Sequence, residues 1–465
     1  MVKLVSKIAL AGLLFCFSID GYCQGENNTW YFGDNAGIKF TALGPVALTN
    51  GVSFGHDGTA SVSNNYGELL FYSNGETIWN KNHQVMMNGA GLKGSQTATH
   101  GAVAVQQPGS ASIYYVFTTD RSGYSNGLQY HVVDMSLESG LGAVTSKNNL
   151  LQTPVTEKLT SIKHTNSIDT WVLAHGSGNN SFFAYLVTST GISGTPVISS
   201  VGPVHGLGHA FAQGQLKCSN DGTKLALGVL GGQRFELYNF NAGTGEVLNP
   251  DQISGENNAY GVEFSSNGRY LYTSNLSYNS VHQFDLQAGN SAAIAASKIL
   301  IGTATTVSGT FDYKVACLQK GPDGKIYVTK WESPYLGVIN NPDLSGIQAD
   351  FIDNGVYLGG KVSLGGLPNR VVARLLPNSV QETNNTSFGV NPNPANGQIK
   401  ITIPAEFKNN GERKLTISDI LGKEVYWSEL YTEEKLINVS CWAKGLYVVS
   451  LEFEGIRQVK RLIVE

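Results

Sequence analysis

Apolar and polar residues alternate with period two through most of the chain, in short runs broken by glycine-containing turns. The clearest example spans Lys217–Tyr238. Leu225 and Leu227 alternate with polar or small neighbours, Asn220-Asp221-Gly222 supplies residues that tolerate positive φ in a tight turn, and Phe235 and Leu237 resume the alternation. The device recurs at Phe264–Thr273, followed by Ser280–Asp285, and at Leu318–Thr329, followed by Gly337–Ile339. Earlier copies run through Thr59–Asn80 with a turn at Asn64–Gly67, Ala102–Asp134 with a turn at Gln107–Ser110, and Lys158–Val187 with a turn near Asn166.

These are copies of one strand-turn-strand unit, and their turns recur roughly every 40 to 58 residues, close to the ~40–50 of a four-stranded blade. The fold class is therefore all-β: a β-propeller over 24–378, with room for seven blades, although six or eight also fit the spacing. A pair of β-sandwiches explains such regular recurrence less well. The segment Trp30–Phe40 is an aromatic-rich strand with a glycine turn inside it and no obvious local partner. A terminal strand that completes the last blade closes the ring and removes its sheet edges, so this segment is expected to pair with strands near Val371–Leu376.

The N-terminus reads as an export signal over 1–23, with Lys3 and Lys7 ahead of an apolar core from Ile8 to Ile19. Cleavage is expected after Cys23, leaving Gln24 as the first residue. The rival reading keeps Cys23 as a lipidated anchor, but Asp20 stands where a lipoprotein signal usually carries Leu. Without the signal, three of the five cysteines remain: Cys218, Cys317 and Cys441. An odd, sparse set without Cys-x-x-Cys spacing is neither a disulfide framework nor a zinc site, and Cys218 and Cys317 read as core residues.

Charge changes the picture at one place. From Val380 to the end there are 10 Lys+Arg and 11 Asp+Glu in 86 residues, about twice the charge density of the preceding region. That marks a boundary, with 379–389 as a polar linker and 390–465 as a small Ig-like antiparallel β-sandwich. A net charge of -4 gives no basic stripe for nucleic acid, and no apolar run reaches the ~18 residues of a membrane span.

The tail resembles the type A C-terminal sorting domain of proteins exported by the type IX (Por) secretion system. The resemblance is carried in order by Asn391–Ala395, Ile417–Val425, Lys444–Val448 and Val459–Val464, and covers the whole tail. It implies passage to the periplasm, recognition by the type IX machinery, and release or surface attachment, and it points to Pro392, Pro394, Gly445, Tyr447, Lys460 and Arg461 as sorting residues, with Cys23 and Gln24 at the other processing point. Trp30–Ile38 and Leu364–Asn369 also resemble a family of secreted propellers that carry such tails, a likeness that bears on architecture and location rather than activity.

Histidine is the group that invites a chemical reading. His56, His100, His175, His205 and His209 all lie beside or near glycines in expected loops, where several imidazoles converging in one cavity would serve a metal or a general base. His205 and His209 have helical spacing, but the intervening glycines oppose a helix. Asp57, Asp120, Asp134, Asp285 and Asp312 are scattered and read as structural groups, Asp134 and Asp285 at strand ends where an Asp bonds turn amides. Trp331 and Tyr335 are candidates to stack on a sugar or partner at the channel mouth. No catalytic residue, metal site or cofactor is assigned, and the expected role is non-catalytic binding of a surface protein or glycan on one face. The alternative is a hydrolase or lyase acting on a glycan or lactone at the channel, which requires at least two of these histidines within about 6 Å of one another or of an Asp, in one cavity.

Overall fold

The computed structural model describes residues 25–41, 43–305, 314–373, 388–403, 413–419, 424–429, 432, 434–453 and 456–465. They fall into two compact units, one within Cys23–Leu375 and one within Leu376–Glu465.

The first unit is a ring of seven antiparallel blades. Blade 1 contains Thr29–Asp34, Ala36–Thr41 and Gly44–Leu48, and blade 2 runs from Ala60–Ser63 out to Val85–Ala90. Blades 3 to 7 begin with the innermost strands Ala102–Gln106, Val155–Lys163, Leu216–Cys218, Ala259–Phe264 and Val315–Lys320. Turns after the innermost strands share one chemistry. Ser219 Oγ donates to Asp221 Oδ1 and accepts from Lys224 N, and Ser265 Oγ does the same with Asn267 and Tyr270 one blade later. Gly222 and Gly268 both take φ of 71° there, a conformation costly for residues with a Cβ.

Each blade buries one face on its neighbour. Ile162 and Trp171 of blade 4 pack with Leu216 and Leu225 of blade 5, and Phe235 of blade 5 with Val262 and Leu271 of blade 6. The circle closes where Trp30, Phe32 and Ile38 of blade 1 share a core with Tyr327, Leu336 and Val338 of blade 7. Because inner strands are covered on both faces, burial depends on distance from the axis as well as on alternation. Every residue of Ala259–Phe264 is buried, whereas most of the outermost strand of the same blade, Ile299–Thr303, is not.

Closure differs from the sequence expectation in two respects, the first being that Trp30–Phe40 folds on itself as a hairpin, with Trp30 opposite Ile38. Asp34 bridges Val362, while Val371–Val372 runs parallel to the innermost strand of blade 4, pairing with Ser161–Ile162. The segment 362–373 is thus a strap inside the ring. Its Gly366 N donates to His56 O at 2.9 Å, its Gly365 O accepts from Cys317 N at 3.1 Å, and Asn369 Nδ2 donates to Leu159 O at 2.9 Å. It therefore reaches the inner strands of blades on opposite sides of the ring. Glycine is required at 366, since a Cβ there would lie 1.8 Å from Asp57 O.

The second unit has two sheets, one formed by Gly389–Asn391, Gln398–Thr402 and Glu434–Asn438, the other by Glu424–Glu429, Arg413–Asp419, Gly445–Phe453 and Ile456–Val464. They enclose a core of Ile399, Ile401, Leu415, Ile417, Val449 and Leu462.

Candidate functional site

The inner strands all run in the same sense, so the loops that enter them form one face of the ring. All six singled-out residues of the propeller lie in or beside the loops of that face. The structure divides them among four places.

His56 packs edge-on to Phe54 at 4.8 Å and lies 5.7 Å from the Trp331 ring. Burial lowers the His56 imidazole below its usual value, partly opposed by Glu332. Trp331 is buried, so its ring packs and presents no stacking face, and Tyr335 tilts against Tyr357 at 5.1 Å.

His175 and His205 stack at 3.7 Å. They satisfy the distance expected of a convergent pair, but both are fully buried. His205 Nε2 lies 3.0 Å from Glu236 Oε2, which also accepts from Tyr238 Oη at 2.6 Å, while Arg234 Nε donates to Oε1 at 2.6 Å. These partners hold the Glu236 carboxyl down to about 2 against its own burial. Burial lowers both imidazoles, opposed at His205 by the Glu236 carboxylate. A fully buried pair supports packing rather than base catalysis.

His100 is also fully buried, with Nε2 2.8 Å from Gln215 Nε2 and 3.8 Å from Cys317 Sγ. His209 is the exposed member. It opens the one-turn helix His209–Ala212, and its Nδ1 lies 2.7 Å from Ser122 Oγ. Among the described residues, no group of three or more His, Cys, Asp or Glu could hold a metal ion.

Sequence reasoning missed the buried charges near the axis. Glu157 accepts from Thr99 N and Ser122 N, both at 2.8 Å, and Thr99 Oγ1 lies 2.9 Å from Glu157 Oε2 and 3.1 Å from Tyr260 Oη. Tyr260 Oη donates to Asp57 Oδ1 at 2.7 Å. Burial raises Asp57 to about 7 and raises Glu157 as well. Lys158 Nζ donates to Phe211 O, Ala212 O and Gln213 O, capping the helix that presents His209, and burial lowers it to about 7. Asp57, one of the scattered carboxylates, is thus a buried partner of Tyr260. Its signal was Gly365-Gly366, whose absent side chains leave room for it.

Around His209 the same face exposes apolar groups. Leu207, Val204 and Tyr124 are 75%, 58% and 55% exposed, on loops joined by the Ser122–His209 contact and by Gly178 N donating to His205 O. This patch is the candidate functional site.

In the tail, the residues expected to take part in sorting lie in the start motif and on the last two strands. The start motif seals the last strand: Asn393 Oδ1 accepts from Ile463 N at 2.8 Å, and Ala395 N donates to Ile463 O at 2.7 Å. Pro392 and Pro394 flank Asn393 and follow cis bonds. Tyr447 Oη donates to Ala443 O, Lys460 Nζ sits 5.8 Å from the Phe388 ring, Gly445 pairs with Val464, and Arg461 pairs with Val448. Cys23 and Gln24 lie outside the described residues.

Residues 389–465 match the family described as "Secretion system C-terminal sorting domain". No curated protein matches the chain. Among solved structures it is similar to a functionally unknown protein from Desulfotomaculum acetoxidans, at 13% identity and TM-score 0.40 over 74% of this chain and 99% of that one. It is also similar to PorZ, described as an essential bacterial surface component of the type-IX secretion system of Porphyromonas gingivalis, at 13% identity and TM-score 0.36 over 96% of this chain and 60% of that one. A putative 6-phosphogluconolactonase from Bacteroides fragilis is similar at 12% identity and TM-score 0.37 over 89% of this chain and 98% of that one. The propeller assignment rests on the blade topology above, and no described helix is long and apolar enough to cross a membrane. The tail is a type IX secretion C-terminal sorting domain, and the chain is a protein exported by that route to the cell surface or the extracellular space.

Proposed function

We propose that the propeller is a non-catalytic binding module delivered outside the cell by its tail, and that it engages a protein partner through the loops around His209. The observation that carries this reading is the set of exposed apolar side chains, Leu207, Val204 and Tyr124, on loops tied together by the Ser122–His209 and Gly178–His205 hydrogen bonds. Exposed apolar groups on a rigid frame gain by being covered, and frame rigidity lowers the ordering cost of association. A glycan remains the other class of ligand for this face, to be separated by the same test.

The hydrolase or lyase reading has less support. The acidic groups that come together, Asp57 and Glu157, are buried beneath the strap and joined through Tyr260 and Thr99. The deciding experiment applies purified chain to envelope fractions before and after protease or glycosidase treatment, with Leu207→Glu as the interface variant, alongside a turnover screen on glycosides and lactones. Saturable binding that is protease-sensitive and lost in Leu207→Glu is expected. Turnover abolished by Glu157→Gln would overturn the proposal.

A further inference from the structure

A sorting domain works only when another protein grips it, and the tail is such a domain. Several of the residues expected to mark it for export are occupied within the fold. Tyr447 is buried with Oη donating to Ala443 O, and Lys460 Nζ lies 5.8 Å from the Phe388 ring. The start motif holds the last strand through Asn393 and Ala395. Groups engaged in this way leave the contact with a partner to another surface.

Glu424–Glu429 is an outermost strand of the four-stranded sheet, paired on one side with Arg413–Asp419 and, among the described residues, with no strand on the other. Alternation sends Tyr426 against the core and turns Val425 and Trp427 outward. Trp427 is 58% exposed and Val425 38%, whereas the other five tryptophans of the chain are buried or half-buried. The strand edge offers backbone N–H and C=O groups to an incoming strand, and tryptophan is among the side chains most enriched at the energetic centre of interfaces.

Charge selects among occupants. The carboxylates of this strand stand at its two ends, Glu424 opposite Ser418 and Glu429 opposite Lys414, so its centre is apolar. Lys423, which precedes the strand, lies outside the described residues. A second copy pairing antiparallel along the same edge would set Glu424 against Glu429 twice, and only Glu429 has a cation across from it on the neighbouring strand. Like charges so placed oppose self-pairing. The outermost strand of the other sheet, Glu434–Asn438, exposes Leu436, but Lys435 stands beside it and Lys400 opposite it, with Lys400 Nζ 2.8 Å from Glu434 Oε1. Charges at mid-strand guard an edge against strand addition, which leaves Glu424–Glu429 as the edge open to a foreign strand.

We propose that Glu424–Glu429 is the docking edge of the sorting domain, to which a protein component of the type IX machinery adds an extended segment, seating apolar side chains on Val425 and Trp427. The edge is separate from the His209 face and does not depend on the partner engaged there. The test uses the full chain in cells that have the type IX system, with a photo-crosslinking phenylalanine analogue in place of Trp427 or of Leu436, and separately with Trp427→Glu, Val425→Glu or Leu436→Glu. Crosslinks from position 427 to an identified machinery component, absent from position 436, are expected. Trp427→Glu should lower the amount of protein outside the cell about tenfold or more and leave the chain in the periplasm. Val425→Glu should act in the same direction, and Leu436→Glu should export normally. The crosslink reports the contact even where a glutamate disturbs the sheet. Export of Trp427→Glu at the level of the unsubstituted chain, crosslinks from position 427 only to the chain's own propeller or to a second copy, or equal crosslinking from position 436 would overturn the proposal.

Discussion

Replacing Asp57 by Asn should change how the stability of the propeller depends on pH. Asp57 accepts from Tyr260 Oη and lies in the same hydrogen-bonded network as Glu157; its burial, with a smaller contribution from Glu157, raises the carboxyl from 3.8 to about 7. Between those values the unfolded chain has released the proton and the folded chain keeps it, so unfolding stability falls as pH rises from about 4 to about 7. Above that window the accumulated penalty is about 4 kcal/mol, from 1.36 kcal/mol per pH unit. For a propeller of about 350 residues, 4 kcal/mol corresponds to roughly 5 °C in Tm. Asn keeps an oxygen for Tyr260 and cannot ionise. Any packing cost of the amide is independent of pH, so the informative quantity is the difference in Tm between Asp57→Asn and the unsubstituted chain, followed from pH 4 to pH 8. That difference should move by about 5 °C in favour of the variant. Parallel Tm curves across the range would refute the argument that an uncompensated carboxyl is buried there.

Other outcomes follow from packing and pairing. Gly366→Ala places a Cβ 1.8 Å from Asp57 O and should cost about 3 kcal/mol in a denaturant titration, whereas Gly194→Ala, with open space around it, should be neutral. Glu236→Gln leaves Arg234 and the buried pair around it without their carboxylate and should cost about 3–5 kcal/mol at pH 7. Because the Glu236 carboxyl is held down to about 2, its contribution should fade as pH falls from about 4.5 towards 2, which a pH series of the same variant checks. Asn393→Ala removes the acceptor for Ile463 N and should lower tail stability by about 1 kcal/mol in calorimetry of the full chain. Deleting 389–465 should abolish appearance of the propeller outside the cell, measured by immunoblot of medium and surface fractions.

The blades were legible because the information that makes them is local. A Ser-Asn-Asp-Gly or Ser-Ser-Asn-Gly turn between alternating strands specifies the same hairpin wherever it occurs, as Ser219 and Ser265 show by identical contacts. The aromatic strand of Trp30–Phe32 does have a local partner, Ala36–Thr41, in a hairpin of blade 1, and it closes the ring by packing its side chains into the blade 7 core. Its pairing partner was not legible. Val371–Val372 reads as an ordinary β-branched strand, and only the finished ring determines that it pairs with Ser161–Ile162 while Val362 reaches Asp34. The buried charges failed for the same reason. Glu157 and Lys158 look like polar positions of a half-exposed strand, and become buried only when inner strands from several blades meet the strap. For the histidines, glycine neighbours suggested loops, yet His175 lies in the strand Thr170–Gly176 and His209 opens a helical turn, and depth decides whether an imidazole is buried like His205 or exposed like His209.

The strap decides whether the ring is a closed frame that binds at its faces or an open channel in which Asp57 and Glu157 could meet a substrate. Hydrogen exchange of the peptide 362–373 in the intact protein tests it most directly. Amides of Gly366 and Asn369, bonded to His56 O and Thr59 O, should exchange as slowly as those of the inner strand Ala259–Phe264. Exchange as fast as that of an exposed loop would contradict the account.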